Sequence, residues 1–125
     1  HVHQVVGSRA PLHVTAVGKL MLGATGREGC IAYAARTNLP AYTGNTITSI
    51  DHLVSESVCA LKEGYALDNE EAEIGVGCIG ALLYDGAGQV AAGLSVSAPI
   101  ERRNITWAKT LIGASQSISQ SLGAQ

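Results

Sequence analysis

The chain has 125 residues, 46% hydrophobic and 14% charged, with no Phe and one Trp. This length suits a single domain with an aliphatic core, and the composition argues against disorder. A net charge of −2 offers no basic surface for direct contact with nucleic acid or anionic lipid. No apolar run is long enough for a transmembrane helix and no signal peptide is visible, so no membrane partner is expected. Residue 1 is His, not Met, which is read as the start of a fragment or processed chain. Cys30, Cys59 and Cys78 are odd in number and far apart. Without a CxxC or a Cys/His ligand spacing they argue against a disulfide framework and against structural zinc. A reducing, cytoplasmic compartment follows, and neither cofactor nor metal is expected.

In chain order, His3 to Pro11 reads as an extended segment and a bend. Thr15 caps a helix through Ala16, Gly18, Lys19, Leu20, Met21 and Leu22. A second helix is predicted from Gly26 to Arg36, followed by a loop from Thr37 to Thr48. Ser49 caps a third helix, with Leu53, Val54, Val58 and Leu61 at helical spacing, and Gly64 ends it. Tyr65 to Asp68 reads as a short strand before the acidic turn Asn69-Glu70-Glu71. Glu73 to Asp85 and Gln89 to Pro99 form a hairpin around Asp85-Gly86-Ala87-Gly88. After the charged connection Ile100 to Arg103, Asn104 caps a last helix striped by Ile105, Ala108, Leu111, Ile112, Ser115, Ile118 and Leu122. Gly123 stops it. Without βαβ alternation the class is α+β.

The hairpin carries the main functional clue. Closing it at the turn sets Cys78 opposite Ser95 and Val76 opposite Ser97. One face then holds Gly77, Ile79, Ala81, Leu83, Val90, Ala92, Leu94 and Val96, an aliphatic set expected to be core. The other holds Val76, Cys78, Gly80, Leu82, Ala91, Gly93, Ser95 and Ser97, small and weakly polar, as the floor of a small-molecule pocket would be. Buried hydroxyls need partners, so Ser95 and Ser97 with Cys78 and Asp68 point to binding. As bland readings, the serines bond locally or lie at a solvated face, and Asp68 is a turn residue.

Other motifs weigh less. Gly75-Val-Gly77-Cys-Ile-Gly80 matches G-x-G-x-x-G, but the dinucleotide motif needs a strand-to-helix turn and these glycines lie within a strand. They are read as making room beside the pocket or accommodating a bulge. Cys78, His13 and Asp68 have the residue types of a nucleophile, base and orienting acid, yet no active-site motif surrounds the cysteine. His13 is read as a structural hydrogen-bonding residue, and His1, His3 and His52 are scattered.

Gly7 to His13, Thr15 to Lys19, Leu39-Pro40 with Thr43 and Thr46 to Thr48 continue as Glu63 to Asp68 and Glu70-Glu71. They are followed by Gly75 to Ile79, Val90 to Ser97, Ile118-Ser119 and Leu122-Gly123. In this order and spacing they resemble the effector-binding domain of IclR-type bacterial transcriptional regulators. The resemblance implies a six-stranded antiparallel sheet flanked by helices, a GAF/PAS-like (profilin-like) sensor domain. It implies a DNA-binding repressor or activator, homodimeric or homotetrameric, that reaches operator DNA through an N-terminal winged helix-turn-helix domain. Residues 1–125 then form the effector-binding domain, truncated at its N-terminus and lacking the DNA-binding domain.

Family positions for small-acid effectors fall on the Ala16 and Val17 amides, Asp68, Cys78, Ser95 and Ser97. Val17 replaces a smaller residue, but only its amide is required. A ligand carboxylate would dock on those two amides at the helix start. Ser95 and Ser97 would add donors and Cys78 a compact wall. Asp68, an acceptor when ionised, would favour a hydroxyl or hydrated carbonyl. The expected partner is a small hydroxy, keto or sugar acid, and no enzymatic step is needed. The alternatives are a GAF-like or PAS-like sensor on another output domain, or a small hydrolase or transferase using Cys78 or Ser95.

Overall fold

A computed structural model describes residues 10–124; the segment from His3 to Arg9 lies outside the described residues. A single 3-10 turn, Leu12–Val14, leads to Thr15, whose extended backbone and side chain start the first helix: its Oγ1 accepts from Gly18 N at 3.0 Å. The helices α1 (Ala16–Ala24), α2 (Gly26–Thr37) and α3 (Ile50–Glu63) follow the expected bounds closely. Ser49 Oγ caps α3 by accepting from His52 N, and Gly64 ends it at φ 90°, a backbone glycine adopts without strain. Three strands follow, β1 (Ala66–Asn69), β2 (Val76–Tyr84) and β3 (Val90–Pro99), and then α4 (Trp107–Ser121). The class is α+β. The strands form an antiparallel sheet in the order β1-β2-β3, three of the six strands that the resemblance implies. No helix among the described residues is long and apolar enough to cross a membrane.

The sheet lies between two layers. Ala16 and Leu20 of α1 pack with Ala60, Ala66 and Leu82 on one face, while Ala108 and Leu111 of α4 pack on Ile79 and Ala81 on the other. Behind α1, residues of α2, α3 and the intervening loop close a further core around Leu22, Cys30, Tyr33 and Leu53.

Several expectations need correction. The second strand begins at Val76 rather than Glu73, because Glu70 to Gly75 are folded into a turn. There Glu70 N donates to Val76 O and Glu70 Oε2 accepts from Gly75 N. Cys78 pairs with Ser97 and Val76 with Pro99, not with Ser95 and Ser97. Asp85 explains this: its Oδ1 accepts from Ala87 and Gln89, which widens the turn, and the ladder shifts again at Leu83/Tyr84. The slip is two residues over most of the ladder, so the side chains of paired positions keep their faces. Helix α4 starts at Trp107 because Asn104 Oδ1 is spent on a preceding turn with Thr106. Ile105 and Leu122 fall just outside α4 and are exposed, as is Ile118 on it, while Ser119 is buried, accepting from Tyr84 N. On α3 Val58 is likewise exposed.

The aliphatic face is core only where α4 covers it. Ile79 and Ala81 are fully buried, but Val90 and Val96 on β3 are 37% and 40% exposed, since β3 is the outer strand among the described residues. The glycines also differ from expectation. Gly80 and Gly93 form a notch for α1: a Cβ on Gly80 would lie 3.0 Å from Val17 N, and one on Gly93 only 2.2 Å from Val17 Cγ1.

That notch is testable. Gly93→Ala should lose about 1–3 kcal/mol of stability through overpacking, read by urea denaturation. Adding Val17→Ala should restore most of it, because the nearest atoms all belong to the Val17 side chain. Equal stability of Gly93→Ala and parent would mean that α1 is not seated in the notch.

Candidate functional site

Helix α1 points its N-terminus at the polar end of the notched face. Its first amides, Ala16 and Val17, have no intrahelical acceptor, and Thr15 Oγ1 serves only Gly18. Beside them a cavity of about 250 Å³ opens over β1, β2 and β3. All six residues selected from the sequence line it: Ala16, Val17, Asp68, Cys78, Ser95 and Ser97.

Asp68 is more than a turn residue. It is 3% exposed, pairs with Cys78 across the β1–β2 ladder, and its Oδ1 accepts from Glu71 N at 2.8 Å. Burial is the main cause holding its carboxyl above the usual range. The Glu71 hydrogen bond opposes that effect and the Glu71 charge adds to it. Cys78 is half-buried, with Sγ 3.0 Å from Ser97 Oγ. Burial pushes its thiol up, opposed by the Ser97 hydrogen bond, and the nearby Asp68 charge pushes it further. The thiol is therefore protonated at neutral pH and can donate to Asp68 while Ser97 donates to sulfur. Ser95 faces Gly80. Both serines are exposed, which corrects their reading as buried hydroxyls: β3 is the outer strand, and the cavity opens along it.

The sequence reading placed Val76 on the pocket-floor face, where it lines the cavity, but missed Thr15, Tyr42 and Glu73 as lining residues. Tyr42 comes from the irregular stretch between α2 and α3, whose position depends on long-range bonds. Thr46 Oγ1 accepts from Tyr42 N and Thr43 N and donates to Glu71 O, while Thr43 Oγ1 donates to Glu70 O. Clustered threonines were the available signal for that stretch. Lys19 and Glu71 were also missed as a pair. Both are buried, with Nζ 2.9 Å from Glu71 Oε1 and a further contact to Glu56.

His13 is structural. Nε2 lies 2.9 Å from Pro40 O, which can only accept, so Nε2 donates there, and Nδ1 is held by Tyr33 OH at 2.9 Å. Neither nitrogen is left to activate Cys78. Gly75 to Gly80 meets no helix start of its own, as a phosphate loop would. Among the described residues, no cluster of His, Cys, Asp and Glu could hold a metal ion. A larger cleft of about 750 Å³ lies at the hairpin turn, but only Asp85 among its lining residues is charged.

The family model described as bacterial transcriptional regulator IclR C-terminal matches residues 1–122. The HTH-type transcriptional repressor AllR of Salmonella typhimurium is 33% identical over 122 residues, covering 94% of this chain and 45% of the repressor. The chain thus spans about half the length of the curated relatives it matches. Among solved structures, transcriptional regulator YaiJ superposes with a TM-score of 0.89 at 28% identity, covering 98% of this chain and 71% of that one. An IclR homolog from Microbacterium hydrocarbonoxydans, complexed with 4-hydroxybenzoate, gives 0.88 at 23% identity, covering 98% and 50%; at that identity it speaks for the fold alone.

The raised Asp68 carboxyl has a pH consequence. A group whose folded pKa exceeds its unfolded value stabilises the fold at low pH and loses that contribution as pH rises through the folded value. Asp68→Asn keeps an acceptor for Glu71 N and removes the titration. Its stability relative to the parent should therefore rise as pH climbs from the ordinary 3.8 towards neutrality, followed by urea denaturation at each pH. A constant difference would show that Asp68 ionises as it does in the unfolded chain.

Proposed function

The chain belongs to the IclR family of bacterial transcriptional regulators, as an effector-binding domain, and from that premise we propose that it senses a small carboxylic acid. The observation carrying this reading is the polarity of one cavity: two α1 amides without a partner among the described residues and, beside them, a buried carboxyl group. A ligand carboxylate docks on Ala16 N and Val17 N, where free N–H groups and the helix dipole favour an anion. Ser95 and Ser97 add donors, and Cys78 forms a compact wall. Asp68 repels a second carboxylate and accepts from a hydroxyl or hydrated carbonyl at the far end. The effector is a small hydroxy, keto or sugar acid. A neighbour of the same fold holding 4-hydroxybenzoate, an acid with a distal hydroxyl, is in keeping with that division.

The relatives matched are named as transcriptional repressors, not as enzymes. In this reading residues 1–125 form the sensing domain, and operator contact belongs to a winged helix-turn-helix domain elsewhere in the regulator. The regulator acts in the cytoplasm as a homodimer or homotetramer. The effector shifts operator affinity by preferring one arrangement of that assembly.

A thermal-shift panel of small carboxylic acids tests the proposal. An acid well above its dissociation constant should add about 2–4 kcal/mol of stability, and Asp68→Ala or Ser95→Ala should abolish the shift for a hydroxylated acid. A folded sample that responds to none of the acids would count against the cavity as a sensor. A shift that survives both substitutions would displace the binding mode.

A further inference from the structure

Lys19 does not line the cavity and is fully buried. It sits three residues beyond Ala16, about one helical turn from the amides that open α1. Its ammonium reaches both oxygens of Glu71, at 2.9 and 3.1 Å, and Glu56 Oε2. Glu71 in turn holds the end of β1 twice over. Its Oε2 accepts from Asn69 N at 2.8 Å, and its own N–H donates to Asp68 Oδ1 at 2.8 Å. One rigid helix and one ion pair therefore connect the two ends of the cavity. The Thr43 and Thr46 bonds secure the same acidic turn to the loop before α3, not to α1.

We propose that Lys19 is the positioning residue of this cavity: through Glu71 it sets the separation between the α1 amides and the Asp68 carboxylate, and with it the length of acid that fits. The proposal rests on the effector reading above and adds its length selectivity. A lysine that only neutralised buried acid would have no such effect, because Glu56 already offers it a partner on α3.

Lys19→Met with Glu71→Gln replaces the charges by neutral groups of similar volume, an exchange buried pairs often tolerate. Glu71→Gln alone, which leaves Lys19 its Glu56 contact, serves if the double variant does not fold. Both are made with Cys59→Ser, so that Cys78 is the accessible thiol and Cys30 stays buried. The first readout needs no effector: the pH profile of Cys78 alkylation by iodoacetamide. Three groups act on this thiol across the elements around it: Asp68 from β1, Ser97 from β3 and Arg103 after β3. If the clamp keeps Asp68 against the sulfur, releasing it moves the profile to lower pH, by about tenfold in rate for each unit. The second readout is the affinity for glycolate, 3-hydroxypropionate and 4-hydroxybutyrate, which move the hydroxyl stepwise from the carboxylate. The parent should prefer one length, and the variant should lose that preference.

A folded variant with the parent's alkylation profile and the parent's length preference overturns the proposal. If none of the three acids binds the parent, the effector reading fails for hydroxy acids, and the thiol profile alone decides whether Lys19 positions Asp68.

Discussion

Lys19 and Glu71 bring opposite charges into contact where neither side chain reaches water. Desolvating two ions is costly, and removing one partner of such a pair generally costs about 3–5 kcal/mol because the other is left uncompensated. The acidic turn therefore has one low-energy position against α1. From that position the Glu71 main chain supports Asp68, its carboxylate caps Asn69 N, and its carbonyl receives Thr46. Tyr42 and the loop between α2 and α3 follow from the Thr46 bond. This wall of the cavity is thus arranged by charge satisfaction and hydrogen bonding.

The other wall depends on packing. Val17 enters the notch left by Gly80 and Gly93, bringing the start of α1 to van der Waals contact with β2 and β3. A bulky side chain at the second helical position holds the helix axis, while its amide remains available because amide and side chain point in different directions. The expectation that Val17 would merely be tolerated understates it: the residue fills space that two glycines vacate.

Features with local causes were legible in the sequence. Thr15 and Ser49 cap their helices, and Gly64 ends α3, because each effect is decided within a few residues. The strand residues around the cavity were legible too, because a two-residue slip preserves strand faces. Which serine meets Cys78 was not, since it depended on Asp85 folding its carboxylate onto two amides of the turn. Exposure of Val90 and Val96 depended on what lies beside β3, which alternation cannot report. Nothing local marks out Lys19 until Glu71, 52 positions later, is brought to it.

That separation has a kinetic meaning. Lys19 lies 37 positions from Glu56 on α3 but 52 from Glu71, so the pairing with the acidic turn closes a longer loop than the packing of α1 on α3. On that ground, closure of the cavity between α1 and Asp68 is expected late in folding. A molecule bridging α1 and Asp68 would hold together contacts formed late, so it should slow unfolding more than it hastens folding. Stopped-flow unfolding with and without a bound acid would read this directly: an effect confined to the folding limb would mean that the cavity is already built in the transition state.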